Sequence, residues 1–348
     1  MDKLNSVVLD AQTIAGNPWV KQYLDGQNAI NVPAEFRDAD GGIAFYISQL
    51  AQIEQTIYAT PYADITYLQD IPIVSGIPEH ANHWVYRSYD GRGMGAFIGA
   101  NASDLPRVAQ SAKLHTVPLN YGGIECHYSL DELRTTASQN MPIDTMQQQL
   151  AYRAYEEHSQ KVAYFGDSQL GMSGLLNHPN VTVTKASVDY TTATGQELFN
   201  MLNDPLFDII KLSKNYHMPN TVRVFPDLWK RMNSELMTGY SDTTVMEFFK
   251  TNNAYTLMTG QEIDIQVRFQ LTAAELKAGG VVNAEGGEQK DRVLIYEKND
   301  RNLGVAKPIP FRMLAPQNKS LAVSVPAEYK ISGTEIRYPL SAIYLDML

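Results

Sequence analysis

The sequence predicts an α+β chain, and three stretches predict it. Apolar residues recur at helical spacing from Met146 to Phe165. Strand-like composition runs through 80–128 and ends in the alternating Ile124-Glu-Cys-His-Tyr128. From about 195 helix and strand patterns alternate, and short strands dominate after 308. Periods near 3.6 and 2 mark a one-sided helix and a half-buried strand. A length of 348 residues suits two compact domains, or one large domain with an appendage. Hydrophobic residues at 44% and charged residues at 19% allow a sizeable core and argue against wholesale disorder.

Taken in order, residues 1–40 carry little periodicity and several turn formers, including Gly16, Pro18, Gly26 and Pro33, and read as an extended arm. Ile43, Tyr46, Ile47, Leu50, Ile53 and Ile57 then recur at helical spacing up to Thr60-Pro61. Residues 65–78 read as extended, broken by Pro72 and Pro78. Residues 80–120 read as a long two-stranded excursion with little apolar content; such a ribbon cannot be stable alone and must lie on something. In Ile124–Tyr128 the apolar Ile124, Cys126 and Tyr128 share one face, and Glu125 and His127 the other. Ser129-Leu-Asp-Glu132 has the form of a capping box. After Asn140-Met-Pro142 a helix over 144–165, roughly 33 Å long, is expected to bury Met146, Leu150, Ala151, Ala154, Tyr155, His158, Val162 and Phe165. Arg153, Glu156, Glu157 and Lys161 are expected to face out. A glycine-rich loop to Gly174-Leu-Leu-Asn177 follows.

In the next lobe Leu198, Met201 and Leu202 mark a helix. Asn203-Asp204-Pro205 is expected to restart it, with Asp204 as cap and Pro205 in its first turn. Thr221–Phe225 reads as a strand, Asp227 as the cap of a helix carrying Leu228, Trp229 and Met232, and Val245–Lys250 as a short helix. Glu262–Phe269 and Arg292–Tyr296 read as strands, with a glycine-rich loop over 278–291 between them.

Composition and motifs exclude several function classes. The net charge of −10 argues against sequence-independent DNA binding, which relies on Lys and Arg neutralising phosphates. Cys126 is the only cysteine, so no intrachain disulfide and no Cys-rich zinc site can form. The start lacks a basic segment leading into an apolar one, and no long apolar run occurs; neither signal peptide nor membrane span is expected. Gly91, Gly93 and Ala96 fit a loose Gly-x-Gly-x-x-Ala, but no amphipathic helix follows, so they read as a loop tip. Glu79, His80 and His83 lack a fourth ligand nearby and read as a polar strand start. Cys126 and His127 point to opposite faces and cannot pair as nucleophile and base. His158 reads as a core histidine. No Gly-x-Ser-x-Gly, His-Glu-x-x-His or Walker pattern occurs. No catalytic residue, cofactor or metal is expected. The 20 Tyr against 11 Phe fit either an amphipathic contact surface or a tyrosine-rich core.

Tyr128-Ser-Leu-Asp-Glu-Leu133, the helix 144–165, Phe165-Gly-Asp, Gly174-Leu-Leu-Asn177, Ile336-Arg-Tyr-Pro-Leu340 and Tyr344-Leu-Asp346 resemble the major capsid proteins of tailed phages, with their Hong Kong-97-type fold. The order of elements extends the resemblance to nearly the whole chain. It implies an N-terminal arm and helix over 1–79, an extended β loop over 80–121 and a peripheral domain with a long spine helix over 122–193. It further implies an axial α/β domain over 194–308 and return strands of the peripheral domain over 309–348. The function implied is a self-assembling, non-enzymatic shell subunit, in hexamers and pentamers, enclosing double-stranded DNA without sequence-specific binding. Partners implied are the portal, a decoration protein and a separate scaffolding protein, since residues 1–40 are too short and aperiodic to be a fused one. The location implied is the virion, after assembly in the host cytoplasm. Lys113 is the only lysine in 80–120 and has no identifiable partner, so no cross-link is assigned. An encapsulin-type compartment and an α/β enzyme or ligand-binding module on 194–308 are the alternatives.

Three expectations go with this. Arg87, Arg92, Arg107 and Lys113, set against only Asp90 and Asp104, should meet Glu156 and Glu157 of a neighbouring copy. The arm should order only in the assembly. The loop 278–291 should differ between five- and six-fold rings while the long helix stays rigid.

Overall fold

A computed structural model describes residues 64–94, 97, 107–129, 131, 143–238, 242–283 and 288–348. The arm and helix expected before residue 64, Glu132 of the capping box and the centre of the 278–291 loop lie outside the described residues. Of that box, Ser129 Oγ accepts from the Asp131 amide at 3.3 Å.

Residues 64–348 form one compact unit, and its described residues build three sheets. The segment 65–78 is not wholly extended. It holds one helical turn, α1 (Tyr67–Asp70), before the two-residue strand β1 (Ile73–Val74). Strand β2 (His83–Arg92) pairs antiparallel with the outer half of β3 (Ala109–Ser129), from His83↔Pro118 to Arg92↔Ala109. At Leu119 β3 changes partner and pairs with β11 (Ala322–Ser332). β9 (Ile309–Met313) and β10 (Gln317–Lys319) pair with β11. The alternation of 124–128 is realised: Cys126 and Tyr128 are buried, while Glu125 and His127 are exposed.

Helix α2 (Ile143–Phe165) packs on this sheet, with Ala151 against the cluster of Cys126 and Tyr128, and Tyr155 over Phe311 and Tyr329. Its buried stripe differs from the expected one. Leu150 is 53% exposed, and Ala154 and His158 are exposed, while Glu156, Ser159, Ala163 and Tyr164 join Ala151, Tyr155, Val162 and Phe165 inside. Apolar spacing favours Leu150 over Glu156. The carboxylate of Glu156 instead accepts from the Tyr67 hydroxyl at 2.9 Å, and a polar group so satisfied can be buried at little cost.

The second sheet runs β4-β13-β7-β5-β6 and comprises β4 (Thr182–Lys185), β13 (Ala342–Asp346), β7 (Arg292–Tyr296), β5 (Thr221–Val224) and β6 (Asp264–Val267). β5, β7 and β13 are buried along their whole length, as strands covered on both faces are. The last strand of the chain therefore completes the sheet of the 194–308 lobe and does not return to β3 and β11. A third sheet joins β1, β8 (Leu303–Ala306) and β12 (Thr334–Ile336).

Helix α3 (Gly195–Leu212) is continuous, with Pro205 inside it, so Asn203-Asp204-Pro205 is no restart. Leu198, Leu202, Leu206 and Ile209 form one buried stripe across the proline, and its packing outweighs the missing backbone bond. The first turn is closed instead by Glu197, which accepts from the Thr194 amide and hydroxyl, each at 2.8 Å. Helix α4 (Pro226–Ser234) starts from Phe225 with Pro226 in its first turn, so Asp227 lies inside the helix. The strand expected over 262–269 is limited to β6, because Phe269–Leu271 turn into a 3₁₀ segment before the short helix α7 (Ala273–Ala278).

Helices α5 (Val245–Asn252) and α6 (Ala254–Thr259) meet at Asn253. Its side chain is fully buried; it accepts from the Thr256 amide at 2.9 Å and donates to Phe249 O at 2.7 Å. Asn253→Ala removes an N-cap and strands a buried carbonyl, and is expected to cost about 2 kcal/mol in urea unfolding. A loss under a few tenths would show that the two helices do not depend on this joint.

Candidate intersubunit surface

Four polar arrangements connect the elements, and each has a structural rather than a reactive geometry. The first is the end of α2. Gly166 (φ 69°) reverses the chain, and the loop runs back along the last turn. Leu175 and Leu176 amides donate to Ala163 O and Tyr164 O, and Asn177 Nδ2 donates to Phe165 O at 2.6 Å. Asn177 Oδ1 accepts from the Gly174 amide at 2.7 Å. The carbonyls that a helix leaves unpaired at its C-terminus are thereby satisfied. Gly174 is required by distance: a Cβ there would lie 2.3 Å from Tyr164 O.

The second is a buried ion cluster on Asp70. Its Oδ1 accepts from Arg223 Nε at 2.6 Å and Arg268 Nη2 at 2.8 Å. Its Oδ2 accepts from Arg268 Nε at 2.7 Å and the Tyr164 hydroxyl at 2.5 Å, and its carbonyl accepts from the Tyr296 hydroxyl at 2.9 Å. Asp70, at the end of α1, thus holds the long helix and strands β5 and β7. Burial alone would raise the Asp70 carboxyl, but the hydrogen bonds from Arg268 and the charges of Arg223 and Arg268 outweigh it and hold the carboxyl below its usual range. A related pair fixes β13. Asp346 accepts from Arg292 at 2.5 and 3.0 Å, Arg292 Nη1 donates to Leu176 O at 2.7 Å, and the guanidinium lies 4.8 Å from the Tyr344 ring.

The third surrounds Lys307. Its ammonium donates to the hydroxyls of Tyr67 and Tyr155 and lies 4.6 and 5.1 Å from their rings. Burial pushes this lysine down, opposed by the charge of Glu156; the Tyr155 phenol is pushed up to about 12, chiefly by burial. Much of the tyrosine excess is therefore core: Tyr67, Tyr155, Tyr164, Tyr296 and Tyr344 are buried with their hydroxyls bonded, while Tyr89, Tyr121 and Tyr216 remain exposed.

The fourth is the root of the β2–β3 ribbon. Trp84 lies under the Arg337 guanidinium, 4.9 Å from ring to carbon, and the Tyr86 hydroxyl donates to Glu335 Oε1 at 2.7 Å. The His115 ring stacks on Tyr86 at 4.7 Å and 8°. His178 Nε2 stands 3.8 Å from Glu335 Oε2. Burial tends to raise the Glu335 carboxyl, yet the neighbouring His178 ring and the hydrogen bond from Tyr86 lower it overall. Beyond Tyr86 and His115, residues 87–92 and 109–114 are all exposed, with Tyr89 at 62% and Leu114 at 66%.

Of the residues expected at a contact with another copy, Arg87, Arg92 and Lys113 are exposed on this ribbon, and Arg107 is exposed two residues before β3. Arg92 stands 3.7 Å from Asp90, and among the described residues the other three make no ion pair. Glu157 is exposed on α2 and paired with Arg153 at 2.7 Å. Glu156 does not face outward: it is 8% exposed and held by Tyr67. Sequence reading missed the Asp70 cluster. Its signal was Arg223, a charge in the middle of an apolar strand. Among the described residues no group of three metal-ligating side chains occurs, and no helix is long and apolar enough to cross a membrane.

A family model described as "Major capsid protein" matches residues 93–348. No curated protein sequence matches. Among solved structures the chain is similar to the capsid of Myoviridae phage XM1, with a TM-score of 0.71 at 15% identity over 86% of this chain and 98% of that one. It is also similar to the capsid of an empty GTA particle, with a TM-score of 0.61 at 11% identity over 89% and 97%. A structure from Gordonia phage Cozz gives 0.56 at 12% identity over 92% and 98%. At such identities the likeness is one of fold.

Proposed function

The chain belongs to the major capsid protein family, and we propose on that premise that its copies tile the icosahedral head of a tailed phage around double-stranded DNA. The observation that carries the reading is the ribbon. Two strands carrying exposed Val85, Tyr89 and Leu114 run outward from that root, and residues 87–92 and 109–114 are exposed throughout. A lone two-stranded ribbon is marginal in water, so a neighbouring copy is the surface that stabilises it. Hexamers and pentamers form with residues 80–121 lying across the next copy. Residues 122–193 and 309–348 are peripheral and 194–308 axial, with β13 shared between them. Arg87, Arg107 and Lys113 then face acidic groups such as Glu157 of the neighbour, setting register more than affinity. A net charge of −10 suits a container that does not grip its DNA. A separate scaffolding protein, a portal and a decoration protein complete the particle, which assembles in the host cytoplasm and ends in the virion.

The full chain, expressed alone and with candidate scaffolding protein, is expected to give closed shells by electron microscopy and a fast-sedimenting species. A protein that stays monomeric under both conditions would overturn the proposal.

A further inference from the structure

The contact at the ribbon root is a two-by-two match. Residues i and i+2 of a strand share a face, so Trp84 and Tyr86 of β2 project together. Glu335, in β12, and Arg337, one residue past its end, flank Ile336, which is buried in the core. Trp84 meets Arg337 and Tyr86 meets Glu335. Both body residues are themselves held. Arg337 Nη1 donates to Asp300 O at 2.6 Å and Arg301 O at 3.1 Å, and its amide donates to Asn302 O at 2.7 Å. Glu335 is paired with Gly304 across β12 and β8 and has His178 at its second oxygen. On the other side of the root, Lys330 donates to Asn82 Oδ1 at 3.1 Å and Glu79 O at 3.3 Å, and the Leu119 amide donates to Asn82 O at 3.0 Å.

The free part of the ribbon runs from Arg87↔Leu114 to Arg92↔Ala109. At strand rise this is a lever of about 20 Å, and a tilt of about 10° at the root moves its tip by roughly 3 Å. The ribbon has no core of its own to resist that tilt. We infer that Trp84, Tyr86, Glu335 and Arg337 are positioning residues for assembly: their clasp sets the angle at which the ribbon leaves the body, and so the angle between neighbouring copies in the shell. This rests on the reading that the ribbon lies across a neighbour.

The test uses four variants of the full chain. Tyr86→Phe and Glu335→Ala break the clasp. Arg87→Glu with Leu114→Asp alters only the free part. Glu335→Gln keeps an oxygen for the Tyr86 hydroxyl. Losing a hydrogen bond to a carboxylate should raise amide exchange at 83–86 roughly tenfold. The clasp variants are expected to assemble into particles of broadened or shifted diameter, while the dissociated chain keeps its melting temperature. Glu335→Gln should restore most of the wild-type diameter distribution, and the free-part variant should fail to assemble. If the free-part variant fails but both clasp variants give wild-type diameters, the clasp inference is wrong and the ribbon reading stands. If the free-part variant assembles normally, the ribbon reading falls and the inference with it. Should Glu335→Ala not fold, Tyr86→Phe decides alone, since it removes one hydroxyl and leaves the ring stack.

Discussion

Asp70→Asn is expected to destabilise the folded chain by about 3–5 kcal/mol, the cost of removing one partner from a buried ion cluster. The carboxylate is fully buried, and both arginines facing it are buried too. Neutralising it leaves Arg223 with Asp264 at 2.6 Å, whose carboxylate is far more exposed, and leaves Arg268 without an anion among the partners it contacts. Urea unfolding of the dissociated chain measures the loss. The pH dependence has a definite sign. The folded carboxyl titrates below its unfolded value of about 3.9, so its contribution is complete above that value and disappears as the pH falls through the depressed folded value. Wild type and variant should differ most above about pH 4 and converge in stronger acid. A constant gap down to the lowest measurable pH would show that the loss comes from packing and not from the charge.

Gly174→Ala is expected to cost about 3 kcal/mol, at the upper end for forcing one methyl into filled space. The added Cβ would meet backbone, Tyr164 O at 2.3 Å and Phe165 N and C at 2.5 Å, and a helix end cannot move aside as a side chain can. The loop would have to lift, breaking the bonds from Leu175 and Leu176 to the helix and loosening the Leu176 carbonyl that holds Arg292. Gly171→Ala is the control. Its φ of 66° strains an alanine, but nothing lies within 4 Å, so about 1 kcal/mol is expected. Equal losses for the two, by thermal or urea unfolding, would sink the close-approach argument.

The elements that could be read from the sequence are those whose signal is local and repeated. Arg292–Tyr296 appears as a strand over the expected residues, and the long helix differs from expectation by a single residue at its start. The loop ending in Gly174-Leu-Leu-Asn177 stood out by composition, and the structure supplies its reason in the carbonyls it caps. The misreadings share one cause. Glu156 reads as solvent-facing because polar residues usually are, and Pro205 reads as a helix restart because proline usually is one. Each is overruled by packing that a residue's own type does not announce: the distant Tyr67 accounts for Glu156, and the buried stripe that α3 carries across the proline accounts for Pro205.

The sequence by itself determined that this is a mixed helix–strand chain with a long helix, a core-poor segment over 80–120 carrying four cations, and a family signature in its central and C-terminal segments. Those features depend on periodicity and composition, which act within one turn or one strand. Tertiary structure alone decided that Asp70 gathers Arg223, Arg268, Tyr164 and Tyr296, that β13 joins β7 and β4, and that Glu335 and Arg337 receive Tyr86 and Trp84. These contacts span from about 50 to about 250 positions of sequence. Their energies come from desolvated charge and hydrogen bonding, which exist only once the chain has closed around them.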